Sequence, residues 1–242
     1  MARDGDSGAT AGLLSAIRRE AAARGFDLVG VVDPAAYDAS APAGHRLGEL
    51  SADARAAVVV GNAGPALWRR FRCAHPGILD RRAGADPLDD FTRAEIAPLL
   101  QLLEARKFAV SAFYPFFGAT DHALSFRELG IAAGFGVWSV LGLVLHPVYG
   151  PWIAVRAALL TGAPLHPTGR LDGFAPCRDC PAPCIAVCPG GAFPDRQWSA
   201  APCLAAKARL DPCRTQCLSR IHCVYGASHR CEPEEMAYHS TW

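Results

Sequence analysis

The chain has 242 residues, 51% of them hydrophobic, and its 24 basic and 23 acidic side chains leave a formal net charge of +1. Length and composition together supply a sizeable core and exclude a globally disordered chain, and the balanced charge leaves no broad electrostatic footprint for nucleic acid. The polar opening "MARDGDSGATAGLLSAIRRE" lacks the apolar centre of a secretory signal, so a cytoplasmic location is expected.

In chain order, apolar residues at Leu13, Leu14, Ile17 and Ala21 have helical spacing, and Gly25 supplies the stop. The β-rich run at 26–32 and the later "AAVVVGNA" read as two central strands, with a short helix near 45–50 between them. Residues 72–88, broken by Gly and Pro and carrying Arg81 and Arg82, read as loop. "PLDDFTRAEIAPLLQLLEARKF" resumes helical periodicity through Phe91, Ile96, Leu99, Leu100 and Leu103, and "AVSAFYPFF" reads as a strand ending at Pro115. A helix near 121–133, an apolar strand pair around 137–146 and a helix at 152–162 complete the front part. The most apolar stretch, "IAAGFGVWSVLGLVLHPVYGPWIAV", is interrupted by four glycines and two prolines, which predicts buried core and no membrane insertion. Helices and strands mix without strict alternation, so the expected class is α+β, a sheet layered with helices.

Ten cysteines are unevenly placed: Cys73 stands alone and nine fall between Cys177 and Cys231. The chain changes character near residue 170, which predicts a domain at 1–170 and a cysteine-rich one at 171–242. In a reducing compartment such density points to metal or cluster ligation before disulfides. Cys177, Cys180, Cys184 and Cys188 follow C-x2-C-x3-C-x3-C-P. Bacterial ferredoxins use C-x2-C-x2-C-x3-C-P, in which three thiolates hold one 4Fe-4S cluster and the fourth reaches another. One extra residue, within Pro181-Ala182-Pro183, separates the two patterns, and Gly190 and Gly191 then give backbone amides access to cluster sulfurs. Cys203, Cys213, Cys217 and Cys223 bring the set to the eight ligands that two cubanes require, with Cys231 left over. Cys177, Cys180 and Cys184 are expected to share a cluster with one distal cysteine, and Cys188 to join Cys203 and others. Spacing does not give the distal pairing. A single cluster with spare thiols and a structural zinc site both stay open, as does ligation by His222, His229 or His239.

"AARGFDLVGVVD", "ARAAVVVG", "ELGIAAGFG", "LHPVYGPWIAVRAALLTGAPL" and the C-P-G-G-A-F ending together resemble, in order and spacing, the epoxyqueuosine reductase family. These are cobalamin-dependent iron-sulfur enzymes of queuosine biosynthesis, related to reductive dehalogenases. The resemblance implies a nitroreductase-like sheet domain that holds a corrinoid, followed by a ferredoxin-like domain that feeds it electrons one at a time. It also implies an acid ahead of a helix as proton donor; "DDFTRAEI" occupies that place and nominates Asp90, beside Asp89, with Thr92 where the family has histidine. A donor at neutral pH needs burial to keep its proton. On the residues alone, Asp89 or Asp90 is a helix N-cap.

Trp138, His146, Tyr149 and Trp152 suit the wall of a corrinoid or substrate pocket, although aromatic residues and a histidine in so apolar a segment are more often core. The chain departs from the family at "AGFGVWSVLGLV", where a W-I-G-K-N-like run is expected, and in its less compact distal cysteines. No helical repeat domain for gripping transfer RNA is expected beyond Trp242, so nucleic acid is not an expected partner. A terminal helix carrying Glu234, Glu235 and His239 is expected to fold over a cluster or the pocket, with Tyr238 and Trp242 as packing residues. Two functions follow. One is an iron-sulfur reductase that takes electrons from a flavodoxin, ferredoxin or reductase and passes them through 4Fe-4S clusters to a corrinoid or substrate in the N-terminal domain. The other is a noncatalytic, ferredoxin-like electron carrier without cobalamin.

Overall fold

The computed structural model describes residues 4–77, 86–116 and 124–240. Helix α1 (Asp4–Ala23) leads to strand β1 (Leu28–Val32), the short helices α2 (Pro34–Asp38) and α3 (Leu47–Leu50), and strand β2 (Ala56–Ala63). Then come α4 (Ala66–Ala74), α5 (Pro87–Glu104), β3 (Val110–Phe113), α6 (Phe126–Ala132), the strand pair β4 (Val137–Trp138) and β5 (Val144–Leu145), and β6 (Ile153–Thr161). The cysteine-rich region is a series of helices: α7 (Pro183–Ala186), α8 (Ala200–Arg209), α9 (Asp211–Thr215), α10 (Leu218–Ile221) and α11 (Pro233–Ser240). The result is a mixed α+β fold with open sheets. Among the described residues no helix is long and apolar enough to cross a membrane.

The chain divides into two compact units: Met1–Asn62 with Leu88–Phe135 and Ala154–Arg170, and Ala63–Pro87 with Gly136–Ile153 and Leu171–Trp242. The first is built on a four-stranded sheet of order β1-β2-β6-β3. β1 pairs antiparallel with β2, Val29 opposite Val60, and β3 pairs antiparallel with β6, Ser111 opposite Leu160. Arg55 N–H bonds to Thr161 O at one end of the β2/β6 pair and Arg156 Nε to Asn62 Oδ1 at the other, so these strands also run in opposite directions. β2 is buried along its whole length, as a central strand covered on both faces should be. α1 contributes Ile17 and Ala21 to the core, and α5 contributes Ile96, Leu99 and Leu103. Thr168 Oγ1 accepts from Val31 N–H at 3.0 Å and donates to Ala133 O at 2.9 Å, fastening β1 to the end of α6.

The segment expected as a helix at 152–162 is β6. Its sequence "IAVRAALLT" is nearly all apolar, so neither a helical nor an alternating period stands out, and β-branched Ile153, Val155 and Thr161 fit a buried strand. Asp89 and Asp90 also differ from expectation: α5 begins at Pro87, which needs no donor at a first helical position, so both acids lie inside the first turn and not at the N-cap.

In the second unit α11 packs on α4. Tyr238 meets Trp68 with ring centroids 5.2 Å apart and Phe71 at 5.7 Å, and its hydroxyl donates to Asp86 Oδ1. Arg69 to Glu232 at 3.3 Å and Arg72 to Glu234 at 3.1 Å flank this apolar seam. The terminal helix expected over a cluster or pocket thus packs on Trp68 and Phe71 through Tyr238, and it also packs on α9, the helix that carries Cys213.

Candidate functional site

The first three cysteines stand on the loop that runs into α7. Ala182 sits between two prolines in the left-handed region, φ 53°, and its N–H points at Cys180 Sγ, 3.4 Å away. The extra residue relative to the ferredoxin spacing therefore belongs to a turn that aims an amide at a sulfur. Cys184 opens α7 and is buried with Leu141 and Ala182, against Val140, Leu143, Ile185, Phe193 and Cys223. A small cavity with an apolar wall is lined by Cys177, Cys180, Cys184 and Cys223 and by Ser139, Val140 and Leu141 of the β4-β5 connection. Burial, with the thiols of Cys223, Cys177 and Cys180 beside it, pushes the Cys184 thiol up to about 11. Burial also raises Cys223, opposed by the Tyr225 N–H that reaches its sulfur. These four thiols form one quartet, and Cys223 is its distal member.

Cys223 is held there by a backbone contact. Gly150 closes the turn after β5, and Gly226 follows the Cys223 loop; both have positive φ, 58° and 66°. A Cβ on Gly150 would strike Tyr225 O, and one on Gly226 would strike Tyr149 O. Only residues without a side chain let these two loops meet.

The other four cysteines group separately. Burial raises the Cys213 thiol, with Cys188, Cys203 and Cys217 beside it and the Lys207 ammonium opposing. Cys217 is exposed as a residue, yet desolvation of its sulfur still raises the thiol, opposed by the Arg220 N–H and guanidinium, with Cys203 and Cys188 again among its neighbours. Cys188 Sγ accepts from Ala192 N–H at 3.4 Å, the contact that the following glycines were expected to allow, and Gly190 brings that turn against Ala206 of α8. Cys203 lies on α8, Cys213 on α9 and Cys217 just before α10.

Sequence spacing separated Cys188 from the first three but did not identify Cys223 as their partner. The β4-β5 connection and the Gly150/Gly226 contact make that pairing, and both are tertiary. Cys73 on α4 is exposed, and Cys231, half-buried, lies outside both quartets.

Does this donor set fit iron-sulfur clusters? Sulfurs of Cys180, Cys184, Cys188, Cys217 and Cys223 each receive a backbone N–H, as thiolates on a cluster do. Among the described residues no three Cys, His, Asp or Glu side chains stand close enough to share one metal ion. A cubane asks for a wider arrangement, because each thiolate binds a different iron. The residues present fit that group in number, type and grouping.

The four aromatic and histidine candidates all lie in the second unit. Trp152 is 2% exposed, with the Arg220 guanidinium 4.5 Å over its ring and donating to Pro151 O at 2.8 and 3.1 Å. His146 Nδ1 accepts from the N–H groups of Val148 and Tyr149, at 3.0 and 3.2 Å, and so closes its own turn. Burial, reinforced by nearby His229, lowers its pKa. Tyr149 is sandwiched between the His146 ring at 4.8 Å and the His229 ring at 4.9 Å. Trp138 is 43% exposed on β4. His222 Nδ1 lies 2.9 Å from Leu218 O, and His239 faces Trp68. The Asp90 side chain is 73% exposed and pairs with Arg93 at 3.4 Å, so it is not buried as a proton donor needs. Trp242 lies outside the described residues.

No family model matches the chain, and no curated protein does. Among solved structures it is similar to an epoxyqueuosine reductase in complex with an epoxyqueuosine-modified transfer RNA stem loop: TM-score 0.63, 16% identity, 95% of this chain and 69% of that one. It is similar to the epoxyqueuosine reductase of Bacillus subtilis at TM-score 0.64 and 16% identity, covering 93% of this chain and 68% of that one. The catabolic reductive dehalogenase NpRdhA matches at TM-score 0.56 and 17% identity over 93% of this chain, but only 33% of its own length. At these identities the likeness is one of fold, which this chain shares with the epoxyqueuosine reductases and the reductive dehalogenases.

Proposed function

We propose that this chain is an iron-sulfur redox protein that passes electrons to a corrinoid or substrate held by its N-terminal sheet domain. Residues 171–242 act as the ferredoxin-like, ligand-bearing part. Cys177, Cys180, Cys184 and Cys223 would hold one 4Fe-4S cluster, and Cys188, Cys203, Cys213 and Cys217 a second. Bound there, the clusters would supply one-electron transfer. The chain's own contribution is to aim backbone amides at the sulfurs, to exclude water from the first site with Leu141, Ala182 and Ile185, and to set the charge around the second with Lys207 and Arg220. The observation that carries this reading is the sorting of eight cysteines into two sets of four, each set drawn from separate stretches of chain.

A second reading, an electron carrier without cobalamin, is favoured by the exposure of Asp90 and by the burial of Trp152 under Arg220. One experiment separates the two. Protein purified without oxygen is assayed for iron and sulfide, and its spectrum is followed as cobalamin is added. About eight irons per chain with a corrinoid spectral shift supports the reductase. The same iron without a shift leaves the carrier, and zinc in place of iron sinks both.

A further inference from the structure

Residues 192–199 lie in sequence between Cys188 and Cys203, two members of the second quartet, yet three of their side chains reach the first. Phe193 packs against the buried group of Leu141, Ala182 and Cys184. Arg196 Nη2 donates to Cys180 O at 3.4 Å. Trp198 lies against Gly142 in the β4-β5 connection, where a Cβ on the glycine would come within 3.2 Å of it. The ends of the loop are closed by backbone bonds, Ser199 N–H to Ala192 O and Gln197 N–H to Pro194 O, both at 2.9 Å.

At the tip of this loop Asp195 and Arg196 are both left-handed, with φ of 50° and 59°, although neither is glycine. Two adjacent left-handed residues with side chains are costly, and they persist where surrounding contacts over-determine them. The contacts on either side of the tip are those of Phe193, Arg196 and Trp198 with the first site. The carbonyl that Arg196 holds belongs to the Cys180–Pro181 peptide, and the Pro181 ring fixes the next φ. Holding that peptide therefore sets the direction of the following N–H, that of Ala182, which points at Cys180 Sγ from 3.4 Å. Hydrogen bonds to sulfur and the exclusion of solvent are two of the means by which a protein sets a cluster's potential.

We propose that residues 192–199 form a clasp on the first cysteine site. In it Arg196 is a positioning residue that aims the Ala182 N–H at the Cys180 sulfur, and Phe193 and Trp198 keep solvent from the thiols. The inference rests on the cluster reading above and adds to it a control that acts on one site alone. The second site keeps its own share of the loop, because the Ala192 N–H that reaches Cys188 Sγ is backbone and survives any change of these side chains.

The test uses the full chain, iron-loaded and metal-free. In the loaded protein Arg196→Met should give the first site a more negative potential and make its iron leave in air about tenfold faster, with the potential and iron of the second site unchanged. Arg196→Lys, which keeps a donor for the Cys180 carbonyl, should return the potential toward the parent's, and Asp195→Gly, which alters the same tip but keeps all three anchors, should leave it unmoved. The shift should persist at high salt. In the metal-free chain Phe193→Ala with Arg196→Met should let a neutral alkylating reagent reach Cys180 and Cys184 about tenfold faster, read by peptide mass spectrometry, with labelling of Cys213 unchanged. Iron retained at the second site shows that the variants fold. Equal potentials in parent and Arg196→Met overturn the positioning role, as does a shift that high salt removes, which would come from a screened surface charge. A parent with iron at both sites whose first site ignores every clasp variant sinks the clasp and spares the cluster reading. A parent that takes up no iron but protects Cys180 and Cys184 through these side chains sinks the cluster reading and spares the clasp.

Discussion

The two cysteine quartets draw on the same short stretch of sequence and end in different surroundings. Cys177, Cys180, Cys184 and Cys223 face an apolar cavity under the β4-β5 connection, and no basic side chain acts on the Cys184 or Cys223 thiol. Cys188 lies in the turn after α7, Cys203 on α8, Cys213 on α9 and Cys217 just before α10, with Lys207 acting on Cys213 and Arg220 on Cys217. Only three residues separate Cys184 from Cys188, so local spacing cannot account for the contrast. It comes from what each is packed against: a strand pair on one side, α8 on the other. Arg196 bonds to Cys180 O at the first site, but the cations that act on thiols, Lys207 and Arg220, stand at the second, where they favour added negative charge.

The largest expected effect breaks the pair apart. Cys184→Ala should remove the first site alone, about half of about eight irons, while Cys213→Ala should remove only the second; iron assay with electron paramagnetic resonance distinguishes them. Next is the contact that seats Cys223. Gly150→Ala or Gly226→Ala places a Cβ against backbone in a left-handed conformation and should cost about 1–3 kcal/mol, seen as a lower melting temperature with iron lost from the first site before the second. A smaller effect should sharpen the electrostatic contrast. Lys207→Met removes the cation beside Cys213 and should make the second site harder to reduce, with a more negative potential in voltammetry and the first site unmoved.

The smallest effect concerns the metal-free chain. The Cys184 thiol is raised from its ordinary 9.0 to about 11, so the folded chain holds a proton that the unfolded chain releases. That stabilisation is in place below pH 9 and is lost as pH rises toward 11. Denaturation midpoints of the metal-free protein should fall across this window, and Cys184→Ser should flatten the fall.

How much of this was legible in the sequence differs by element. α5 carries a clean helical periodicity, β1 and β2 are short β-rich apolar runs bounded by breakers, and the strand pair at β4 and β5 read as an apolar one around 137–146. β6 was not legible, because a strand buried among strands loses the alternation that marks one. The grouping of Cys177, Cys180 and Cys184 apart from Cys188 followed from a known spacing, but Cys223 was hidden, since its place depends on Gly150 meeting Gly226 across 76 positions of sequence. Asp90 shows the converse: its sequence context nominated it, and only the structure shows its side chain in solvent.

The central claim is that eight cysteines make two independent sites of four. Iron content of two double variants tests it most directly. Cys184→Ala with Cys223→Ala takes both residues from one quartet and should lose no more iron than Cys184→Ala alone, keeping about four per chain. Cys184→Ala with Cys213→Ala takes one from each and should bind almost none. If the first variant is emptied of iron, or the second keeps half of it, the pairing read from this structure is wrong.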